Sequence, residues 1–197
     1  MTQVSIASLI QGAISGDYIV SFPTDTVPAL AARPDRAELI FAAKQRSQDK
    51  PLILMAASAQ ALWPYVQGSP AELTLWQQVA ESYWPGALTL VLPASPLVSP
   101  AMNAIDRTTI GVRVPNFPLA LKILEQTGPL ATTSANLSGQ APLESVAEIE
   151  AQFPEVLTLV AAELTTATTA SSLPSTVAKW TGGDWEILRQ GAIELKC

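Results

Sequence analysis

Residues 109–114 read Thr109-Ile110-Gly111-Val112-Arg113-Val114. Successive side chains of an extended chain point to opposite faces, so Ile110, Val112 and Val114 share one side and Thr109, Gly111 and Arg113 the other. The pattern predicts a strand whose aliphatic face enters a core. A guanidinium alone on the opposite face can grip a carboxylate or phosphate through two parallel hydrogen bonds. An exposed or ion-paired surface arginine is the plainer alternative.

Towards the C-terminus, Pro118–Gln126 reads as a helix closed by Gly128, and Leu130–Thr133 as a strand entering a small-polar loop. A helix over about Glu144–Phe153 and a strand over Val156–Val160 follow. Residues 165–172 are rich in Thr, Ala and Ser and are expected to form a mobile loop that closes over a ligand. Thr176–Trp180 and Trp185–Leu188, joined by Thr181-Gly182-Gly183-Asp184, read as a hairpin.

Towards the N-terminus, Ala87–Leu92 and Leu52–Ala56 are short apolar runs suited to buried strands. Ser69-Pro70-Ala71-Glu72 is a capping box with proline at the first helical position, predicting a helix to about Tyr83. Ala37–Lys44 reads as a helix, Gln45–Pro51 as a polar loop and Tyr18–Phe22 as a strand. Ser5 caps a first helix with Ile6, Leu9, Ile10, Ala13 and Ile14 at helical spacing, ended by Gly16. Strands and helices mix with no repeat and no linker between two cores. The expected fold is a single α/β domain over residues 1–197, core about 5–193, on a twisted sheet of parallel and antiparallel strands.

Composition narrows the chemistry. The 197 residues include 48% hydrophobic and 14% charged side chains, enough for a sizeable core and too few charges for a disordered chain. Eleven Lys and Arg against 17 Asp and Glu give a net charge of −6, which disfavours a whole-surface nucleic-acid binder. There is no histidine, so Ser-His-Asp triads, Cys-His dyads and histidine-bound zinc are excluded. The single cysteine, Cys197, offers no disulfide framework, and a reducing, cytoplasmic setting is expected. No signal peptide and no membrane-spanning run is read from the sequence.

Lys44, Arg46 and Lys50 fall within seven residues. Positions 44 and 46 cannot share a helix face, so the chain is expected to leave the helix there and aim both cations inward or both at one ligand. Cations placed to favour the helix dipole are the alternative. Thr132-Thr133-Ser134-Ala135-Asn136-Leu137-Ser138-Gly139 follows a strand and offers hydroxyls, an amide and turn N–H groups that can hold phosphates or an amino-acid carboxylate. Ordinary turn formation accounts for them equally well. Pro23-Thr24-Asp25-Thr26 is a similar turn past a buried strand. No GxxxxGK[ST] phosphate loop is present.

Taken in order, Phe22-Pro23-Thr24-Asp25-Thr26-Val27, Lys44-Gln45-Arg46 with Lys50-Pro51-Leu52, Trp84-Pro85-Gly86-Ala87-Leu88-Thr89, Arg113-Val114-Pro115, Ser134-Ala135-Asn136 with Ser138-Gly139, Ser175-Thr176-Val177 and Arg189-Gln190-Gly191 form a more specific set. The whole resembles the YrdC family, the threonylcarbamoyl-AMP synthases, over about residues 5–193, in its short single-domain form. The resemblance implies a sheet curled around a concave, positively charged cavity. It implies that L-threonine, bicarbonate and ATP give threonylcarbamoyl-AMP and pyrophosphate, a nucleotidyl transfer with Mg²⁺ accompanying ATP and no dedicated metal site. The product then serves separate tRNA threonylcarbamoyl-transfer proteins that modify the adenosine beside the anticodon.

By motif, Lys44 and Arg46 would stabilise the phosphates as the catalytic cations. Thr24, Thr26, Arg113 and Ser134 would bind threonine, and Asn136, Ser175, Thr176 and Arg189, with Lys44 and Arg46, the nucleotide. Two places depart from the family pattern: Pro28-Ala29 stands where Tyr-Gly is usual, and Ala178-Lys179 where Val-Asp is usual. The alternatives are a non-catalytic RNA-binding relative and a carbamoyl-adenylate enzyme with another acceptor. Weak binding of tRNA, and of double-stranded RNA generally, belongs with the first.

Overall fold

The computed structural model describes residues 2–45, 51–103, 105–164 and 173–196. In chain order the elements are β1 (Gln3–Val4), α1 (Ile6–Ser15), β2 (Val20–Phe22), β3 (Ala29–Ala32), α2 (Glu38–Ala43), β4 (Ile53–Met55), α3 (Pro70–Tyr83), β5 (Leu88–Pro93), β6 (Thr109–Arg113), α4 (Pro118–Thr127), β7 (Leu130–Ser134), α5 (Val146–Gln152), β8 (Thr158–Leu159), β9 (Thr176–Trp180) and β10 (Trp185–Arg189). An eight-stranded sheet runs in the order β10-β9-β5-β6-β4-β7-β3-β2. β4 lies parallel to β6 and β5 parallel to β9, and the remaining pairs are antiparallel. This is the mixed α/β sheet expected.

Local chemistry sets the helix ends. The Ser69 hydroxyl accepts the Glu72 amide while Glu72 reaches back to the Ser69 amide at 2.9 Å, completing the predicted capping box of α3. Ser145 and Glu148 do the same for α5. Gly16 ends α1 in the left-handed conformation at φ 77°, which glycine adopts without a Cβ clash. The α1 stripe buries Leu9, Ile10 and Ala13 as predicted, but Ile14 is left 40% exposed at the stripe's edge.

Two strand expectations are corrected. The strand predicted over Val156–Val160 contracts to β8, which leaves the main sheet and pairs in parallel with β1. β3, not foreseen, lies between β2 and β7 with all four residues buried. Its Ala-Leu-Ala-Ala sequence has little intrinsic strand preference and is extended because both neighbours pair with it.

The two sheet faces differ in cover. On one, Leu30, Leu54, Leu90, Ile110 and Val112 pack with Ile40 and Phe41 of α2 and Trp76 of α3 in the larger core. On the other, Ala29, Ala31 and Leu130 meet Leu9, Ile10 and Ala13 of α1 and Ala120, Ile123 and Leu124 of α4. These helices cover the β2-β3-β7 end. Further along that face lie Ile53, Gly111, Thr89 and Val177, lining a cavity.

Candidate functional site

The cavity has a volume of about 390 Å³, and among the described residues strands and loops line it, with no helix residue. Strand alternation decides who faces it. Thr109, Gly111 and Arg113 of β6 line the cavity, while Ile110, Val112 and Val114 are in the core, as the repeat of two predicts. The same rule turns Val177 and Lys179 of β9 inward and buries Thr176 and Ala178.

At one end Arg113 is fixed on three sides. Its Nε donates to the Gly86 carbonyl at 3.1 Å, one terminal nitrogen to the Thr26 hydroxyl at 2.9 Å and the other to Asp25 Oδ1 at 2.7 Å. The Trp84-Pro85-Gly86 turn therefore supplies a carbonyl to the site from outside any strand. Burial pushes the Arg113 pKa down, the Asp25 carboxylate pulls it back up, and the Arg189 charge lowers it further. Arg113 and Arg189 both line this one cavity, an arrangement that favours an anion between them. The hydroxyls of Thr24 and Thr26 lie 3.1 Å apart, and Thr24 donates to the Val27 carbonyl at 2.8 Å.

At the other end Arg189 donates to the Ser175 carbonyl from Nε at 3.1 Å and from a terminal nitrogen at 2.8 Å. The Ser175 hydroxyl lies 2.9 Å from that of Thr89, a polar residue that the apolar reading of β5 hid. Gly191 allows this corner to close: a Cβ there would lie 2.2 Å from the Pro174 carbonyl oxygen and 2.5 Å from that of Ser175.

Thr24, Thr26, Arg113, Ser134, Ser175 and Arg189 thus reach the cavity together. Lys44, Asn136 and Thr176 sit behind its wall. α2 ends at Ala43, so the chain leaves the helix at Lys44 as the spacing implies. The Lys44 side chain is 1% exposed, and its ammonium donates to the carbonyls of Ser134 and Asn136 and to Asn136 Oδ1 at 3.1 Å. The Asn136 amide donates to the carbonyls of Leu137 and Gln140 at 2.8 and 2.7 Å, and the Ser134 hydroxyl donates to Asn136 Oδ1. The Thr176 hydroxyl donates to the Ile193 carbonyl and accepts the Gly191 amide at 3.0 Å. Arg46, Lys50 and the segment 165–172 lie outside the described residues.

Sequence reasoning did not nominate Asp25, Thr89 or Asp106, and it marked Lys179 only as a departure from the family pattern. For Asp25 the available signal was its place between two threonines in a turn. Of the two departures from the family pattern, Pro28 and Ala29 border the cavity, the Pro28 carbonyl accepting the Ala135 amide at 2.9 Å. Ala178 is buried in the core, and Lys179 faces the cavity. The carboxylates there are already engaged: Asp25 by Arg113, and Asp106 by the amide and hydroxyl of Thr108. Among the described residues no group of three or more metal-ligating side chains stands together.

A mixed α/β sheet with a strand-lined polar cavity, two guanidinium groups in its lining and no glycine-rich phosphate loop defines a distinct class of small-molecule site. The chain belongs to the Sua5/YciO/YrdC family, whose model, described as "Telomere recombination", matches residues 12–191. It is 36% identical over 156 residues to a threonylcarbamoyl-AMP synthase of Photobacterium profundum, covering 77% of this chain and 83% of that protein. To one of Vibrio campbellii it is 36% identical over 185 residues, covering 91% and 95%. Among solved structures, P. abyssi Sua5 complexed with L-threonine superposes with a TM-score of 0.81 at 31% identity. That match covers 94% of this chain and 54% of the other, so the chain spans about half of that protein. E. coli YciO shares the fold with a TM-score of 0.80 at 24% identity, over 97% of this chain and 91% of that one.

Proposed function

We propose that the chain is a threonylcarbamoyl-AMP synthase, a nucleotidyltransferase that forms threonylcarbamoyl-AMP and pyrophosphate from L-threonine, bicarbonate and MgATP. The observation that carries the reading is the single cavity that Thr24, Thr26, Arg113, Ser134, Ser175 and Arg189 line together. The names of the synthase relatives and the threonine-bound P. abyssi structure support it.

The threonine end is Thr24, Thr26, Arg113 and Ser134, where hydroxyls and a guanidinium meet an amino acid's polar groups. Arg113 arrives already balanced by Asp25, so it orients a substrate carboxylate without leaving a bare charge when the site is empty. The nucleotide end is Ser175 and Arg189, with Thr176 holding the strand behind them. The threonine nitrogen bonds to the carbon of bicarbonate as a C–O bond breaks and water leaves, and the resulting carbamate presents an oxygen to the α-phosphorus. The new P–O bond forms as the bond to pyrophosphate breaks, and negative charge on the phosphoryl oxygens is met by cations. Positioning and electrostatics account for most catalysis of this kind, which needs neither histidine nor thiol. In this assignment Arg46 meets the phosphates, and Lys44 acts through the Ser134–Asn136 loop whose carbonyls it holds. In this reading the product passes to tRNA-modifying proteins and the activity is cytoplasmic.

The experiment is pyrophosphate release from ATP by the purified chain, with and without L-threonine and bicarbonate. Release that needs both is expected. ATP hydrolysis indifferent to threonine would overturn the proposal.

A further inference from the structure

The cavity is lined by four ionisable side chains among the described residues besides those of the threonine-end turn: Asp106, Arg113, Lys179 and Arg189. Arg113 already donates to Asp25, Thr26 and Gly86, and Asp106 accepts from Thr108. Arg189 is partly spent on Ser175. The Lys179 ammonium makes no hydrogen bond or ion pair with any described residue. It is felt by Asp106, whose carboxylate lies below its usual range chiefly through Thr108, with a smaller contribution from Lys179.

Its place on the sheet is informative. Arg189 pairs with Val177 across the β9–β10 ladder, so Lys179 is its diagonal neighbour on the same face. Such neighbours have Cα atoms about 7–8 Å apart, within reach of two long side chains acting on one ligand. Glu186, directly opposite Lys179, is exposed and forms no ion pair with it. The β9–β10 side of the cavity therefore carries one flexible ammonium beside a guanidinium, a pairing suited to a chain of phosphates.

We propose that Lys179, with Arg189, binds the terminal phosphates of the nucleoside triphosphate and the pyrophosphate that leaves. The assignment rests on the adenylation reading above and adds to it a binding residue at the leaving-group end. An ammonium here acts as a mobile point charge that can follow pyrophosphate outward.

The test is isothermal titration of ATP, inorganic pyrophosphate, AMP and L-threonine into the wild-type chain and into Lys179→Ala and Lys179→Arg. One charge-assisted contact corresponds to about a tenfold loss of affinity or somewhat more. Lys179→Ala is expected to weaken ATP and pyrophosphate by that factor and to leave AMP and threonine unchanged, with Lys179→Arg restoring most of the loss. Equal pyrophosphate and ATP affinities in wild type and Lys179→Ala would overturn the assignment alone. So would an equal loss for AMP, which would place Lys179 at the nucleoside. A wild-type chain that binds neither ATP nor pyrophosphate would overturn the adenylation reading and this assignment together. Unchanged circular dichroism and melting temperature are the control, since Lys179 is half-buried at a strand surface.

Discussion

The guanidinium of Arg113 closes on the carboxylate of Asp25 at 2.7 Å, with both side chains largely buried, at 5% and 14% exposure. The contact ties the turn after β2 to the end of β6, so the polar face of β6 is locked to the threonine end of the cavity. Removing one partner of such a pair leaves the other charge buried without compensation, at a typical cost of about 3–5 kcal/mol. Asp25→Asn should destabilise the chain on that scale in urea titration. The double variant Asp25→Asn/Arg113→Met should cost less than the two single changes added. Strict additivity would show that the pair is not coupled.

Lys44 offers a different prediction, because its ammonium holds main-chain oxygens. Lys44→Met leaves the Ser134 and Asn136 carbonyls without that donor. A loss of about 2–4 kcal/mol is expected, on the scale of hydrogen bonds to a buried charge. Amide hydrogen exchange should accelerate at Leu143, whose N–H bonds the Ala135 carbonyl, more than at Leu92 in the distant β5. Uniform acceleration would argue for a global rather than a loop effect.

Gly191 is a steric prediction. Gly191→Ala drives a Cβ into the Pro174 and Ser175 backbone. Displacing Ser175 also displaces the carbonyl that holds Arg189. The variant should lose ATP affinity at least tenfold while keeping that for threonine, measured by titration. Unchanged ATP affinity would mean the corner can yield.

Acid should loosen the frame. Hydrogen bonds to Ser69, Trp180, Ser145, Gln3 and Thr158 hold Glu72, Glu148 and Glu150 below the usual glutamate range. Their folded pKa values are depressed, so the stability they contribute is full above the unfolded value and is lost as pH falls through the folded one. The window opens below about pH 4. Replacing all three with glutamine should flatten the fall in melting temperature with acid. An unaltered slope would assign the acid sensitivity elsewhere.

The sequence exposed whatever is encoded within a few residues. The alternation in 109–114, the Ser69–Glu72 box and the hairpin joining β9 to β10 depend on neighbours in the chain, and the structure reproduces them. β3 was invisible because Ala29–Ala32 becomes a strand only between two partners, one of them about 100 residues away. The site divides in the same way. Arg113 could be placed on a polar face from alternation alone. That the Lys44 ammonium would point at the Ser134–Asn136 backbone could not, since no local spacing says which side of a loop a flexible side chain will find.

The parallel pairing of β5 with β9, Leu88 beside Thr176, means that the cavity's walls are synthesised far apart in time. A nascent chain ending before Ser175 holds the turn at Thr24 and the face of β6, and lacks Ser175, Lys179 and Arg189 altogether. Contacts between such distant segments form late, because the loop between them must first close. A ligand that touches both walls then acts as a clasp on the last strand to dock. Its binding energy favours the complete sheet over any chain with β9 still free.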